Sequence, residues 1–232
     1  KMTDDTQITT IHTIAILGGT GKEGKGLAYR WAKAGYRILI GSRLEEKAQL
    51  AAEELRTLIH SSGEIQGLSN DEAARQADLL VITVPYIAHK SMCEQMKDAA
   101  QGKIVIDVTV PLVPPKITKV QMPAAGSASL EAQQIFGEGV QVITAFQNIS
   151  YEHLLNDEDV NCDVLVCGGK KADRAIVINL IRDAGMVGWD AGVIENSVVV
   201  EGLTSVLLGL NRQFGVESAG IRITGIMRPN EL

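Results

Sequence analysis

The stretch Thr13–Gly26, which reads TIAILGGTGKEGKG, decides the fold. Its first five residues are apolar or β-branched and predict a buried strand, and the apolar spacing that follows predicts a helix ending near Gly35. Between the two elements lies the pattern G-x-G-x-x-G, formed by Gly19, Gly21 and Gly24. A strand, this glycine pattern and a helix in immediate succession predict a dinucleotide-binding fingerprint.

Each glycine of the fingerprint has a separate expected role. Gly19 permits the tight turn, Gly21 lets the backbone approach a pyrophosphate, and Gly24 lets the helix pack close to the strand. The helix N-terminus adds unpaired N–H groups and the positive end of the helix dipole. We therefore expect the nucleotide to contact Gly19, Thr20, Gly21, Lys22, Glu23 and Gly24.

The chain continues as an alternation of short apolar runs and helical stretches. The pattern predicts strands at 37–40, 79–84, 103–108 and 140–144, and helices at about 44–60, 87–100 and 128–136. Ser69, with Glu72 three residues later, predicts the capping box of a further short helix. Strands that are apolar on both faces and separated by helices indicate an α/β fold, a Rossmann-type doubly wound parallel sheet over residues 13–145.

The rhythm changes after about residue 145. A possible strand at 164–167 precedes an amphipathic helix at 171–184 and a helix at 196–214 that is apolar nearly all round. Such a helix should be buried between domains or between subunits. We expect residues 146–232 to form a small, mostly helical C-terminal domain that caps the first, and residues 1–12 to form a flexible arm.

The residues after the second strand decide which dinucleotide is preferred. An NAD enzyme usually places Asp or Glu there to bind the ribose 2′-OH, whereas this chain reads Ile40-Gly41-Ser42-Arg43. Ser42 and Arg43 can donate to a 2′-phosphate, and Lys47 adds a positive charge one helical turn later. The sequence therefore favours NADP.

Two turns at strand ends are expected near the nicotinamide half of the dinucleotide. Val84, Pro85 and Tyr86 follow the 79–84 strand, beside the predicted switch point of the sheet. Loop packing explains these residues about as well as cofactor contact does. The segment 108–112 follows the next strand and is expected to form part of the floor.

Composition excludes several classes of protein. The formal net charge is −6 over 232 residues and no basic run is dense enough to track a phosphate backbone, so nucleic acid is not expected as a partner. No apolar run approaches the roughly 20 residues of a membrane span. The three cysteines cannot all pair and nothing before Ile14 resembles a signal peptide, so a reduced, cytoplasmic compartment is expected. No His or Cys pair has metal-ligand spacing, and no metal is expected.

A conventional proton donor is missing from the expected place. Reduction of a carbonyl or imine needs a Lys, His or Tyr near the hydride acceptor, but the long helix near 195–213 carries only Glu201 and Arg212 as interior charges. His89 or His153 could serve, although ordinary surface or packing roles explain both. An acceptor whose own ring delocalises the charge, such as a flavin-like or deazaflavin ring, needs no catalytic side chain from the protein. Catalysis would then consist of holding two flat rings about 3–3.5 Å apart.

Five stretches carry a resemblance to a known family: LGGTGKEGKGLA (17–28), IGSRLEEKA (40–48), TVPY (83–86), VLVCGGK (164–170) and AGIRITG (219–225). The chain resembles the NADPH-dependent reductases of the deazaflavin coenzyme F420, the F420:NADP oxidoreductases, from about Thr13 to Ile226. The resemblance implies that the C-terminal domain completes a substrate cleft and supplies a dimer contact in a homodimer. It also implies reversible hydride transfer between C4 of the nicotinamide and C5 of the deazaflavin.

The resemblance also implies ligand-binding residues. Thr20, Ser42, Arg43 and Lys47 would bind the NADP phosphates and ribose. The deazaflavin would be bordered by Ala145, Phe146, Gln147, Asn148 and Ile149 and by the segment from Gly220 and Ile221 to Ile226. Some relatives carry a His where Gln147 stands here, so the polar contact at this position differs in this chain.

Two other functions remain open on the sequence. The first is an NADP-linked reductase of a small imine or keto acid, which would need a Lys or His reaching the nicotinamide. The second is an NADP-binding redox sensor without catalysis, in which the apolar 196–214 helix would bind a partner protein.

Overall fold

The computed structural model describes residues 10–59 and 64–228, so the predicted N-terminal arm lies largely outside the described residues. The strands are β1 (Thr13–Leu17), β2 (Arg37–Ser42), β3 (Ile65–Ser69), β4 (Leu79–Ile82), β5 (Ile104–Asp107), β6 (Gln141–Thr144), β7 (Asp163–Gly168) and β8 (Val187–Asp190). The α-helices are α1 (Lys22–Lys33), α2 (Glu45–Ile59), α3 (Asn70–Gln76), α4 (Tyr86–Met96), α5 (Ala128–Phe136), α6 (Lys171–Asp183) and α7 (Ser197–Phe214). Two short 3₁₀ turns lie at Tyr151–His153 and Ile194–Asn196.

The strands form one sheet in the order β3-β2-β1-β4-β5-β6-β7-β8. The first six strands are parallel, β7 pairs antiparallel to β6, and β8 returns parallel to β7. Because the chain leaves β1 toward β2 on one side and later places β4 on the other, the sheet has its switch point between β1 and β4. In open α/β sheets, ligands bind outside the carboxyl ends of the strands at this point.

Helices cover both faces of the sheet, as the apolar strands require. Ile14 and Ile16 of β1 belong to a core shared with α1, α2 and α6, whereas Ala15 and Leu17 belong to a core shared with α3, α4 and α5. Trp31 of α1 is fully buried in the first core. This two-sided burial confirms the predicted doubly wound α/β fold.

Two strands, β3 and β8, were not predicted from the sequence patterns. The segment of β3 reads IQGLS and contains Gly67, whose missing side chain lets α2 pack directly on the strand: a Cβ there would lie 2.2 Å from the carbonyl carbon of Ala48. Strand β8 reads VGWD, too short to show a period. Both strands are defined by pairing with distant neighbours rather than by local preference.

The last part of the chain extends the sheet and then covers its end. Strands β7 and β8 continue the sheet, and α7 packs against α5 and β7. Only one side of α7 is buried, and this side carries Ser197, Glu201, Gly202 and Ser205 among others. The expectation of an apolar helix buried on all sides is therefore not met within a single chain. The predicted domain division at residue 145 stays a prediction.

Candidate active site

A large cavity opens at the carboxyl ends of the parallel strands, at the switch point between β1 and β4. Its volume is about 1130 Å³, which exceeds the roughly 300–1,000 Å³ typical of single small-molecule sites. The glycine loop and the end of β2 form one end, and the ends of β4 and β5, the segment after β6 and one side of α7 form the other. One continuous space therefore joins the predicted nucleotide and substrate regions.

The glycine loop is shaped by close backbone approaches. Gly18 takes a positive φ of 69°, and its N–H donates to the Asn70 side chain at 3.1 Å. A Cβ on Gly24 would lie 2.7 Å from the Cα of Gly19, so α1 packs directly on the loop. By contrast, a Cβ on Gly21 would meet nothing within 4 Å. Because Gly21 lines the cavity, this open space is available to a bound group.

The N-terminus of α1 faces this space without a cap from a side chain. Its free N–H groups and the helix dipole form an anion site. Lys22 lies at the mouth, 4.7 Å from the centre of the Tyr151 ring and 3.7 Å from Glu152. Glu23 is half-buried in the cavity wall, and desolvation raises its pKa to about 8. A Glu23 that is mostly protonated at neutral pH repels a phosphate less than a carboxylate would.

The end of β2 offers donors for a second phosphate. Ser42 Oγ accepts the Leu44 N–H at 3.2 Å, which leaves its O–H free to donate. Arg43 and Lys47 are exposed at the cavity edge, and neither side chain contacts a protein group in the described part of the chain. The described residues after β2 that line the cavity are Ser42, Arg43, Leu44 and Lys47, and none of them is acidic, so a ribose 2′-phosphate fits better here than a 2′-OH.

The turns after β4 and β5 form the other end of the cavity. Val84, Pro85 and Tyr86 line it as predicted, and Thr109 lies beside them. The Tyr86 hydroxyl donates to Glu131 at 3.4 Å, and burial together with that carboxylate raises the pKa of Tyr86. The Tyr86 hydroxyl is thus held protonated and directed toward α5.

The segment after β6 presents two buried amides. Gln147 Nε2 donates to the main-chain oxygen of Asp107 at 2.6 Å, and Asn148 Nδ2 donates to that of Val200 at 2.9 Å. The other amide atoms, Gln147 Oε1 and Asn148 Oδ1, are buried acceptors without a protein partner. Thr204 of α7 fixes the backbone by donating to the main-chain oxygen of Gln147 at 2.8 Å. Gln147 and Asn148 both line the cavity, but these two oxygen atoms are closed to solvent within it.

Most of the predicted site residues meet in this cavity. The residues that line it are Thr20, Gly21, Lys22, Glu23, Gly24, Ser42, Arg43, Lys47, Val84, Pro85, Tyr86, Gln147, Asn148 and Ile149. Their individual ligand contacts stay predictions, since they concern molecules that the structure does not contain.

Five predicted residues do not line the cavity. Gly19 is buried beneath the loop, and its N–H is bound to the Gly41 oxygen. Ala145 and Phe146 lie in the core, where the Phe146 ring packs edge-on against Trp31. Gly220 and Ile221 lie against Cys162, because the C-terminal segment pairs with the start of β7; the nearby residues Glu217 and Ala219 line the cavity instead.

Many residues that line the cavity were not anticipated, and Gly18, Asn70 and Thr204 are three of them. Gly18 lies next to the fingerprint and has a positive φ of 69°, whereas the tight turn was expected at Gly19. Asn70 begins α3 directly after β3, so a correct prediction of β3 would have placed it at the carboxyl edge of the sheet. Thr204 gives no local signal, because its role depends on how α7 docks.

Neither histidine considered as a proton donor lines the cavity. His153 lies in the first 3₁₀ turn, and its main-chain oxygen accepts from Arg30. His89 is fully buried, with Nε2 2.7 Å from Asp107 Oδ2. Burial alone would lower the pKa of His89, but the charge and hydrogen bond of Asp107 outweigh it and raise the pKa to about 11. His89 is therefore an imidazolium beneath the cavity floor.

Residues 10–59 and 64–228 contain neither a candidate metal cluster nor a candidate membrane-spanning helix. Across these residues, His, Cys, Asp and Glu side chains do not gather in a group of three or more that could hold a metal ion. None of the helices there has the length and apolar character needed to cross a membrane.

Comparison with known proteins places the chain in a family. Residues 13–111 match the family described as NADP oxidoreductase, coenzyme F420-dependent. The chain is 38% identical over 221 residues to the F420-dependent NADP reductase of Methanocaldococcus jannaschii, covering 92% of this chain and 98% of that protein. It is 35% identical to the protein of the same name from Methanothermobacter marburgensis, with the same coverage.

Solved structures show the same fold at lower identity. A crystal structure from Arthrobacter sp. FB24 has a TM-score of 0.76 at 22% identity and covers 93% of this chain and 100% of that one. A pyrroline-5-carboxylate reductase from Coxiella burnetii has a TM-score of 0.56 at 16% identity, with 89% and 72% coverage. These likenesses concern the fold alone, whereas the two sequence relatives are near enough to fix the family. The chain belongs to the coenzyme F420-dependent NADP oxidoreductases.

Proposed function

We propose that the protein transfers a hydride reversibly between NADP(H) and the deazaflavin coenzyme F420. One observation carries this function: a single cavity of about 1130 Å³ joins the dinucleotide fingerprint to the segment from Gln147 to Ile149. Two molecules that must meet face to face need such a shared space. The names of the sequence relatives support the same pair of substrates.

The NADP half of the proposal depends on two anion sites. The uncapped N-terminus of α1 and the open space at Gly21 receive the pyrophosphate. Ser42, Arg43 and Lys47 receive the 2′-phosphate, with the guanidinium of Arg43 as the bidentate donor. The nicotinamide half then extends toward Val84, Pro85 and Tyr86 along the strand ends.

The deazaflavin half depends on the segment from Gln147 to Ile149. Gln147 Oε1 and Asn148 Oδ1 are fixed as acceptors because their amide nitrogens are already bound to main-chain oxygens. Once a shift of the two side chains exposes them, such acceptors complement ring N–H groups, and binding would then pair two buried oxygens that lack a partner among the described residues. Gln147 would therefore supply the polar contact that a His makes in some relatives.

The chemistry is a direct hydride transfer between C4 of the nicotinamide and C5 of the deazaflavin. The protein's part is to bind, orient and shield two flat rings. Of the described residues that line the β4–β6 end of the cavity, none is a Lys or His, and the hydroxyl of Tyr86 donates to Glu131. This composition disfavours an imine or keto-acid reductase that depends on such a donor, and a shared cavity for two ligands disfavours a sensor that only holds NADP.

The direct test is an absorbance assay with purified protein, NADPH and coenzyme F420. We expect NADPH to bleach the visible absorbance of the deazaflavin and NADP to restore it. A small imine or keto acid serves as the comparison acceptor. Oxidation of NADPH by that acceptor but not by the deazaflavin would overturn the proposed substrate, and NADPH binding without any oxidation would favour a sensor.

We also propose a homodimer, in which α7 supplies the contact. Its outward side is apolar and exposed in the single chain, with Val199 66% and Phe214 68% exposed. Val198, Val206 and Leu210 continue this surface, and Ile117 and Val120 of the 109–127 loop lie exposed near it. A helix whose outer side carries this many exposed apolar residues needs a second apolar surface to cover it. Under this proposal, residues 146–232 act as the smaller domain that completes the cleft.

The proposed compartment is the cytoplasm. Cys93, Cys162 and Cys167 are all buried as free thiols rather than joined in disulfides. Persistent thiols suit a reducing compartment.

A further inference from the structure

Asp107 at the end of β5 connects several walls of the cavity. Its side chain is fully buried, Oδ2 lies 2.7 Å from His89 Nε2, and Oδ1 accepts the Thr109 N–H at 3.0 Å. Its main-chain oxygen accepts from Gln147 Nε2 at 2.6 Å. His89 in turn stacks beneath Tyr86, with ring centres 6.2 Å apart and an interplanar angle of 27°.

Three of these neighbours line the cavity at the end where the nicotinamide is expected. We call Tyr86, Thr109 and Gln147 the nicotinamide wall. The three residues come from α4, from the turn after β5 and from the segment after β6, and in the structure each contacts either Asp107 or His89. Displacing the His89–Asp107 pair would therefore move all three parts of the wall together.

The pair is not a nucleophilic centre, although Cys93, His89 and Asp107 resemble a catalytic triad in composition. Cys93 Sγ, at 3.7 Å, and Asp107 Oδ2 approach the same nitrogen of His89, so one nitrogen cannot serve both partners as in a relay. None of the three residues lines the cavity, and burial raises the pKa of the Cys93 thiol. The cluster therefore cannot attack a substrate, and its effect must pass through the residues it holds.

We propose that His89 and Asp107 are positioning residues for hydride transfer, which hold the nicotinamide wall in the arrangement that brings the two rings together. This inference rests on the proposed function. A buried ion pair contributes little net stability compared with apolar residues of similar volume. What this pair supplies is orientation, because the carboxylate is fixed by two hydrogen bonds and the imidazolium by a charge and a ring stack.

The decisive variant replaces the pair by apolar residues, His89→Met together with Asp107→Leu. Such replacements are often neutral for stability, so the protein should fold. Because the adenosine end of the cavity is untouched, we expect the NADPH dissociation constant to change by no more than about threefold. The turnover number should fall on the order of 100-fold, since small misplacements of reacting groups have effects of this size. A folded double variant with wild-type turnover would overturn the proposal.

A matched control and a second readout separate this inference from the proposed function. Cys93→Ala removes the other neighbour of His89 without touching Asp107 or the wall, and should leave turnover unchanged. The fluorescence lifetime of bound NADPH reports how firmly the nicotinamide is held, without any acceptor. It should shorten in the double variant but not in Cys93→Ala. If the wild-type protein fails to reduce coenzyme F420 and this lifetime difference persists, only the substrate assignment is wrong.

Asp107→Asn provides a test that does not depend on the double variant. The new amide can accept from Thr109 N–H and donate to a neutral His89, but not to an imidazolium. The groups that face the pair are Cys93 and Tyr86 on α4, Glu131 on α5, whose Oε2 is 3.8 Å from His89 Nδ1, and Glu201 on α7. Without the Asp107 charge, burial is the largest remaining influence and lowers the pKa of His89.

Turnover of Asp107→Asn should consequently rise with pH between about 5 and 8 as His89 loses its proton, whereas the imidazolium of the wild-type protein stays paired across this range. A merely structural role would change the unfolding temperature with pH but leave the turnover of the folded protein unaffected. A flat ratio of variant to wild-type turnover across this range would overturn the proposal.

Discussion

Gly21→Ala tests how the glycine loop binds a dinucleotide, because an added side chain at this position would meet the ligand rather than the protein. A Cβ at Gly21 meets no protein atom within 4 Å, and the backbone angles there, φ −77° and ψ 171°, suit alanine. The free energy of unfolding should therefore change by no more than about 0.5 kcal/mol. In a chain of this size that corresponds to about 2 °C in melting temperature.

The same methyl group should weaken nucleotide binding strongly. It would occupy the space through which the pyrophosphate approaches the N–H groups of α1. A hydrogen bond to a charged group contributes about 1.5–3 kcal/mol, and each 1.4 kcal/mol is about tenfold in affinity. Losing even one bond predicts a dissociation constant at least about tenfold higher, for NADPH and NADH alike, since both carry the pyrophosphate.

Gly24→Ala is the matched control for the Gly21 variant. Its Cβ would lie 2.7 Å from Gly19 Cα and 2.9 Å from Thr83 Oγ1, so α1 must move off the loop. We expect a loss of about 1–3 kcal/mol in unfolding free energy, as for other overpacked sites. Titration of NADPH fluorescence and thermal unfolding measure both effects. A Gly21→Ala protein that binds NADPH as tightly as the wild type would refute the placement of the pyrophosphate.

Three further outcomes are expected. Arg43→Ala should weaken NADPH binding about tenfold and leave NADH binding nearly unchanged, with Lys97→Ala as a remote control; equal losses for both nucleotides in a titration would remove the 2′-phosphate assignment. Burial and the charge of Asp107 raise the pKa of Glu201 to about 7. The folded state therefore binds more protons than the unfolded state between about pH 4.5 and 7, and the unfolding free energy of the wild type falls as pH rises through that window. As pH rises from 5 to 8, the unfolding free energy of Glu201→Gln should therefore increase relative to that of the wild type by on the order of 2 kcal/mol, as measured by denaturant titration. A difference in unfolding free energy that does not change with pH would contradict this. Val199→Asp should convert the proposed dimer to a monomer in light scattering, while Leu50→Asp on α2 should not; a wild-type monomer would exclude the α7 contact.

The sequence was most informative where local chemistry and fold coincide. The run Thr13–Gly26 predicts β1, the glycine loop and α1 because each depends on neighbours within a few residues. The cap of α3 was also predictable, and in the structure Ser69 Oγ accepts the Glu72 N–H at 3.3 Å. The end of β2 is similarly local, since the lack of an acidic residue there can be seen directly in the sequence.

Features that depend on distant pairing could not be predicted in the same way. The antiparallel joining of β7 to β6 involves only two residue pairs, Ile143 with Gly168 and Thr144 with Cys167. The His89–Asp107 contact joins residues 18 positions apart and requires α4 to be docked on the sheet. The buried and exposed sides of α7 were also hidden, because Val, Leu and Gly alternate with polar residues around the whole helix.

The measurement that tests the central claim most directly is an isotope-transfer experiment. NADPH labelled with deuterium at the transferred C4 position is mixed with coenzyme F420 and the protein in ordinary water, and the reduced deazaflavin is examined by NMR and mass spectrometry. Direct transfer across the shared cavity predicts one deuterium at C5 of the product, without dilution by solvent protons. Reduced deazaflavin that carries solvent hydrogen at C5 instead of the label would contradict the account.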